Sequence, residues 1–197
     1  LKRVDSQVID DSALMLRYRD GDMRAFELLY AKHKGPLYRY LQRLCRDTDV
    51  ANDLFQEVWG KVIASRERYE AKAQFSTFLF RIAHNCAMDH FRRTGRIGAD
   101  QFADVQELQD VLPGAETERP ESEVSASQVN AAFLRALDSL PPEQRDVFVL
   151  YEESGLSLEE IGKVTGVAME TAKSRLRYAL TKLRAALSHL QPASIAP

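Results

Sequence analysis

Between about Thr48 and Arg66 the apolar side chains fall in adjacent pairs every four positions: Val50/Ala51, Leu54/Phe55, Val58/Trp59 and Val62/Ile63. On a strand this spacing scatters over both faces; on an α-helix it makes one continuous stripe. The same rhythm returns as Phe78/Leu79, Ile82/Ala83 and Cys86 within Ser76–Arg93, and again as Leu176, Leu180, Leu183 and Leu187. Strand-like alternation is absent throughout. The pattern predicts an all-α protein.

Punctuation divides the periodic stretches. A first helix, Ser12–Asp20, stops at Gly21, and a second begins near Asp22 or Met23 with Phe26, Leu29 and Tyr30 on one side. Gly35-Pro36 is expected to interrupt or restart it before Leu37, Tyr40, Leu41 and Leu44, because an interior proline lacks the N–H and crowds the preceding turn. A polar loop, Glu67 to Phe75, separates the third and fourth helices. Further on, Val129–Ser139 reads as a helix ended by Leu140-Pro141-Pro142, and the next fades at Ser154-Gly155. Ser157-Leu158-Glu159-Glu160 matches a capping box. It opens a short helix to Thr165, closed by Gly166, before a long helix from Met169 to Leu190.

Charge shows where the domains lie. Residues 1–94 hold 17 basic and 13 acidic side chains, residues 95–128 hold 2 and 8, and residues 129–197 hold 8 and 8. The middle stretch also carries Gly95, Gly98, Pro113, Gly114 and Pro120 and few large apolar residues. It reads as an acidic flexible linker. The expectation is two small helical domains, 1–94 and 129–197, joined by 95–128.

The overall balance of 27 basic to 29 acidic residues argues against a nucleic-acid binder, yet the average conceals local excess. Residues 170–187 carry five basic residues and one acidic one. Ile161 and Val164, then Gly166, then the Leu176–Leu187 stripe have the spacing of a helix-turn-helix, whose second helix fits a major groove. Its outward residues include Thr171, Lys173, Ser174, Arg175 and Arg177. An ordinary solvated face on a terminal helix is the competing reading.

The fourth helix sets aromatic residues beside bases. Phe75, Ser76, Thr77 and Phe78 open it, and Arg81, Asn85, Asp89 and Arg92 share a face, followed by Arg93. Guanidiniums and amides on one face suit phosphates and exposed bases, and small hydroxyls can line a pocket for an unstacked base. Equally, Tyr69, Phe75 and Phe78 suit a core, and Asn85 and Asp89 suit hydrogen bonds between helices. On the third helix Asp53, Gln56, Glu57 and Lys61 flank the stripe, either as a solvated face or as a docking face. Trp59 fits a core or an interface anchor.

Other chemistries find little support. Cys45 and Cys86 are the two cysteines, neither in a CxxC, and there are four histidines. No metal site, cofactor site or catalytic constellation is expected. No apolar run reaches the ~18 residues of a membrane span, and the first residues lack a signal-peptide pattern. The expectation is a cytoplasmic protein without membrane insertion.

In order and spacing, four stretches resemble the extracytoplasmic-function sigma factors of the sigma-70 family: Asp20–Phe26, Asp49–Trp59, Phe75–Asn85 with Asp89, Arg92 and Arg93, and Leu140–Arg145 with Leu158–Gly162 and Thr171–Leu176. The resemblance implies a promoter-specificity subunit with no enzymatic activity and no cofactor. Its partners would be core RNA polymerase, promoter DNA (duplex at −35, single-stranded at −10) and an anti-sigma protein. Asp53, Gln56, Glu57 and Trp59 would belong to the polymerase-binding helix. Phe75, Ser76, Thr77, Arg81, Asn85, Asp89, Arg92 and Arg93 would meet the −10 element, and Thr171, Lys173, Ser174, Arg175 and Arg177 the −35 element. Asn52 stands where the family usually has an acid, Phe78 replaces a frequent Trp, Ala168 a common Pro or small polar cap, and Ala172 a usual Val. A conventional DNA-binding regulator with a helical sensor domain would use the same C-terminal helix pair without needing both N-terminal stretches.

Overall fold

The computed structural model describes residues 10–95 and 126–188. The N-terminal part holds α1 (Asp11–Arg19), α2 (Met23–Cys45), α3 (Thr48–Ala64), one 3-10 turn (Arg66–Arg68) and α4 (Phe75–Arg93). The C-terminal part holds α5 (Ala126–Asp138), α6 (Pro142–Ser154), α7 (Leu158–Thr165) and α8 (Met169–Leu187). All regular structure among the described residues is helical, in two groups either side of residues 96–125. Those residues make up most of the expected linker and lie outside the described part.

Local chemistry explains several helix starts. The Asp22 carboxylate accepts hydrogen bonds from the N–H groups of Arg24 and Ala25, and Asp47 does the same for Asp49 and Val50. Each thereby satisfies donors that the first helical turn leaves unpaired. Ser157 and Glu160 form both bonds of the capping box. Gly155 and Gly166, at φ 68° and 74°, end α6 and α7 in the left-handed conformation that glycine adopts without strain.

Two expectations are corrected. Gly35-Pro36 does not break the second helix: α2 runs through it without interruption. An interior proline costs about 3 kcal/mol, but Leu29 and His33 on one side and Leu37, Tyr40 and Leu41 on the other are all buried. Packing on both flanks holds the two turns in line. The fifth helix starts at Ala126 rather than Val129.

The buried apolar side chains of the two groups join in one continuous core cluster. In the first group, Trp59 lies against Phe26, Tyr30 and Phe55 with ring centroids 5.7, 4.9 and 6.4 Å away, and the Tyr40 and Phe80 rings meet edge to face. In the second, Leu137, Val147, Leu150, Ile161, Val164, Ala172, Leu176 and Leu183 are buried. The Arg145 side chain, 7% exposed, donates to the carbonyls of Leu137, Asp138 and Leu140. It satisfies the open end of α5, where Pro141 and Pro142 supply no N–H. The two groups meet: α6 lies against α2, and α7 against α4.

Among the described residues no helix is long and apolar enough to cross a membrane, and no three His, Cys, Asp or Glu side chains are grouped to hold a metal.

Candidate nucleic-acid interface

The start of α4 is held from behind. Phe75 is 1% exposed. Its ring packs on His33 at 5.2 Å, Tyr69 at 6.5 Å and Phe78 at 6.1 Å. Asp11 Oδ2 lies 2.9 Å from His33 Nε2 and also pairs with Lys32. Burial pushes the His33 pKa down, against the pull of Asp11, so at neutral pH the imidazole serves as a neutral donor to that carboxylate. Ser12 donates to the Ala73 carbonyl, pinning α1 to the loop before α4.

The polar residues of α4 divide into two groups. Arg81, Asn85, Asp89, Arg92 and Arg93 are exposed, and the first four follow one another along a single face. Arg92 pairs with Asp89 at 2.6 Å, which orients its guanidinium. Ser76 is half-buried and lies 3.5 Å from Gln74 Oε1. Thr77 does not join them. It is buried, and its hydroxyl donates to Glu160 Oε1 of α7 at 3.1 Å. Phe75 is likewise inside and offers no face to a base; its place is in the packing that sets the loop.

On α3, Asp53 and Gln56 are exposed, while Glu57 is tied to Lys61 at 2.7 Å. The Lys61 hydrogen bond holds the Glu57 carboxyl below its ordinary pKa despite some burial. Lys61 also reaches Cys86 Sγ at 3.2 Å, linking α3 to α4. Trp59 is buried in the aromatic cluster, so of the two sequence readings the core applies to it here.

On α8, Lys173 and Arg177 are exposed, and Thr171, Ser174 and Arg175 are half-buried. Lys173 is only loosely associated with Glu170, at 3.7 Å, and the Arg177 guanidinium lies over the Tyr178 ring at 5.1 Å. Ala168 provides no side-chain cap, which leaves the first amides of α8 and the positive end of its dipole open to an anion. Gly162 sets the spacing of α7 and α8. A Cβ there would come within 2.8 Å of the Val167 carbonyl oxygen, and the Val167 N–H donates to the Gly162 carbonyl at 3.0 Å.

How Tyr40, His84, Asp146 and Glu153 join the two groups of helices escaped the sequence reading, which places Tyr40 only among the apolar residues of the second helix. One signal was present, Arg39 and Arg43 at helical spacing on α2, with Arg46 at its C-terminal cap.

The Sigma-70 region 2 family matches residues 29–97, and the Sigma-70 region 4 family matches residues 136–185. RNA polymerase sigma factor CarQ of Myxococcus xanthus is 34% identical over 177 residues, covering 90% of this chain and 97% of that protein. The chain belongs to the extracytoplasmic-function sigma factors of the sigma-70 family. The ECF RNA polymerase sigma factor SigE of Mycolicibacterium smegmatis is 37% identical over 162 residues, which are 82% of this chain and 61% of that one. Among solved structures, the sigma factor RpoE from Bartonella quintana, crystallised with the anti-sigma factor NepR, superposes with a TM-score of 0.64 at 25% identity, covering 84% of this chain and 98% of that one. As a sigma factor the protein is a non-catalytic subunit that acts with core RNA polymerase in promoter recognition and transcription initiation.

Proposed function

We propose that this sigma factor divides its task between residues 1–94, which dock on core polymerase and capture the −10 strand, and residues 129–197, which hold the −35 duplex. The exposed row Arg81, Asn85, Asp89 and Arg92 on α4 carries this reading, because it sets guanidiniums for phosphates and an amide for a base edge on a single face. Arg93 extends the row. Ser76 and Thr77, at its N-terminal end, would face bases that leave the stack. Unstacking costs a few kcal/mol per base, and contacts made only with the open strand offset it. Opening then follows from preferential affinity for the melted form.

The pair α7 and α8 acts as a helix-turn-helix in this reading. Thr171, Lys173, Ser174 and Arg175 reach base edges and nearby phosphates of the −35 duplex, and Arg177 lies further along the backbone. On α3, Asp53, Gln56 and Glu57 form the polymerase-docking face, with Trp59 as the packing behind it. Residues 95–128 serve as an acidic linker between the two functions. The Bartonella quintana relative is bound by an anti-sigma factor, which supports a similar inhibitor for this chain, acting in the cytoplasm.

Initiation with purified core polymerase tests the assignment. The full chain should direct initiation only from templates carrying both elements; initiation that ignores both would overturn it. Replacing Lys173 and Arg175 together with Ala should weaken −35-dependent promoter binding roughly tenfold or more, since a good base contact is worth about 1–3 kcal/mol. It should also flatten the salt dependence. An unchanged affinity and salt slope would remove both residues from the interface. Asn85→Ala should slow open-complex formation more than closed-complex binding. Equal defects in the two steps would count against base capture.

A further inference from the structure

The chain between α3 and α4 presents an exposed tip, Glu70–Gln74, between two buried rings, Tyr69 and Phe75. Its own backbone does little to fix it. The Lys72 N–H donates to the Glu70 carbonyl at 2.8 Å, and Glu70 and Lys72 form an exposed ion pair, which contributes little. The tip nonetheless leads straight into the N-terminal end of α4, and Gln74 Oε1 lies 3.5 Å from the Ser76 hydroxyl. Its shape therefore sets where that edge stands.

The restraint comes from α1, which supplies none of the DNA-binding or polymerase-docking residues. It meets the loop at both ends. At the entrance the Arg66 guanidinium lies over the buried Tyr18 ring, 5.7 Å from its centroid. At the exit the Ser12 hydroxyl reaches the Ala73 carbonyl at 3.5 Å. Ser12 also lies beside the Tyr69 hydroxyl, which is buried without a well-formed hydrogen bond. Burial raises the Tyr69 pKa, against the pull of Ser12, so the phenol stays neutral. Asp11 acts at one remove. Its carboxylate accepts from Lys32 at 2.7 and 2.8 Å and from His33 at 2.9 Å. That bond orients the imidazole, which packs on the Phe75 ring at 5.2 Å. A series of contacts thus runs from α1 through α2 to the residue that ends the tip.

We infer that α1 is a positioning element for base capture: Ser12 directly, and Asp11 through His33 and Phe75, hold the Glu70–Gln74 tip in the shape that presents Gln74 and Ser76 to an unstacked −10 base. The inference rests on the proposed placement of the −10 strand at the start of α4. Discrimination between bases needs hydrogen-bonding groups held within about 0.5 Å of their working positions. An exposed tip with so few backbone hydrogen bonds does not keep that precision alone. Ser12 is buried and the Asp11 carboxylate nearly so, so neither is placed to touch DNA. Their loss acts on selectivity and not on the attraction of phosphates, which carries no sequence information.

Base preference gives the test, because it is a ratio and cancels any loss of folded protein. The full chain with purified core polymerase forms open complexes on duplex templates that differ by one base pair at each −10 position in turn. Asp11→Ala combined with Ser12→Ala should lower the preference at a captured base roughly tenfold, the worth of a good base contact. Preference at the −35 positions should stay as in the wild type. Asp11→Asn combined with Ser12→Thr keeps an acceptor for His33 and a hydroxyl for Ala73, and should restore most of the ratio. Urea denaturation followed by Trp59 fluorescence checks that each variant folds. If the alanine pair does not, Ser12→Ala alone is read and should lower the ratio roughly threefold, as for one hydrogen bond. An unchanged ratio, or a loss in equal proportion on every template, would overturn the inference and leave α1 with packing alone. A wild-type chain without base preference in the −10 element would overturn the proposed function itself, and the inference with it, so the two failures are told apart.

Discussion

Phe75→Ala is expected to remove about 3–5 kcal/mol of stability, the range for deleting a buried aromatic ring. The ring is fully enclosed by His33, Tyr69 and Phe78, and no small rearrangement of three rings fills the space. A single small domain has only some 5–15 kcal/mol in total, so much of the N-terminal half would be lost near physiological temperature. Trp59, the sole tryptophan, lies in the same half and reports the transition. Urea denaturation followed by its fluorescence should shift to markedly lower concentration. A normal unfolding midpoint with defective initiation would instead place the Phe75 ring on DNA. The measurement therefore separates the two sequence readings of this residue. Thr77→Val, by contrast, should barely move the midpoint, because its hydroxyl bond is to α7 and not to the apolar core.

Gly162→Val is expected to cost about 3 kcal/mol, the upper end for overpacking, and to abolish −35-dependent initiation. Even a bare Cβ would sit 2.8 Å from the Val167 carbonyl oxygen, and close to the Met169 N–H as well. Both are backbone atoms of the turn, so neither can swing aside as a long side chain would. Relief requires moving α8 relative to α7, and with it Lys173, Arg175 and Arg177. Transcription from a template whose −10 region is already single-stranded should be retained better than transcription from duplex DNA, because α4 is untouched. Comparable loss on both templates would show that Gly162 does not act through the angle between α7 and α8.

Helix positions were largely legible because their causes are local. The paired apolar residues of α3, the Ser157–Glu160 box and the glycines after α6 and α7 act over a few residues, and the structure places helices where they predict. Gly35-Pro36 misled because it is also a local signal, and the burial of Leu29, His33, Leu37 and Tyr40 around it is not. The start of α5 at Ala126 lay in a stretch where charge and glycine content suggested linker. The faces of α4 were legible in part. Spacing alone puts Arg81, Asn85, Asp89 and Arg92 together, but it cannot tell that Phe75 and Thr77 point elsewhere.

The sequence by itself determined an all-helical chain in two parts, a basic outward face on α8, and the family to which the chain belongs. Periodicity, capping and motif order are written within short windows, and a helix makes its hydrogen bonds four residues away. Only the tertiary structure decided what the two parts do to each other. Tyr40 meets Asp146 across 106 residues, Arg39 meets Glu153 across 114, and Thr77 meets Glu160 across 83. No local pattern encodes such pairings, because they depend on how two finished surfaces fit once each half has folded.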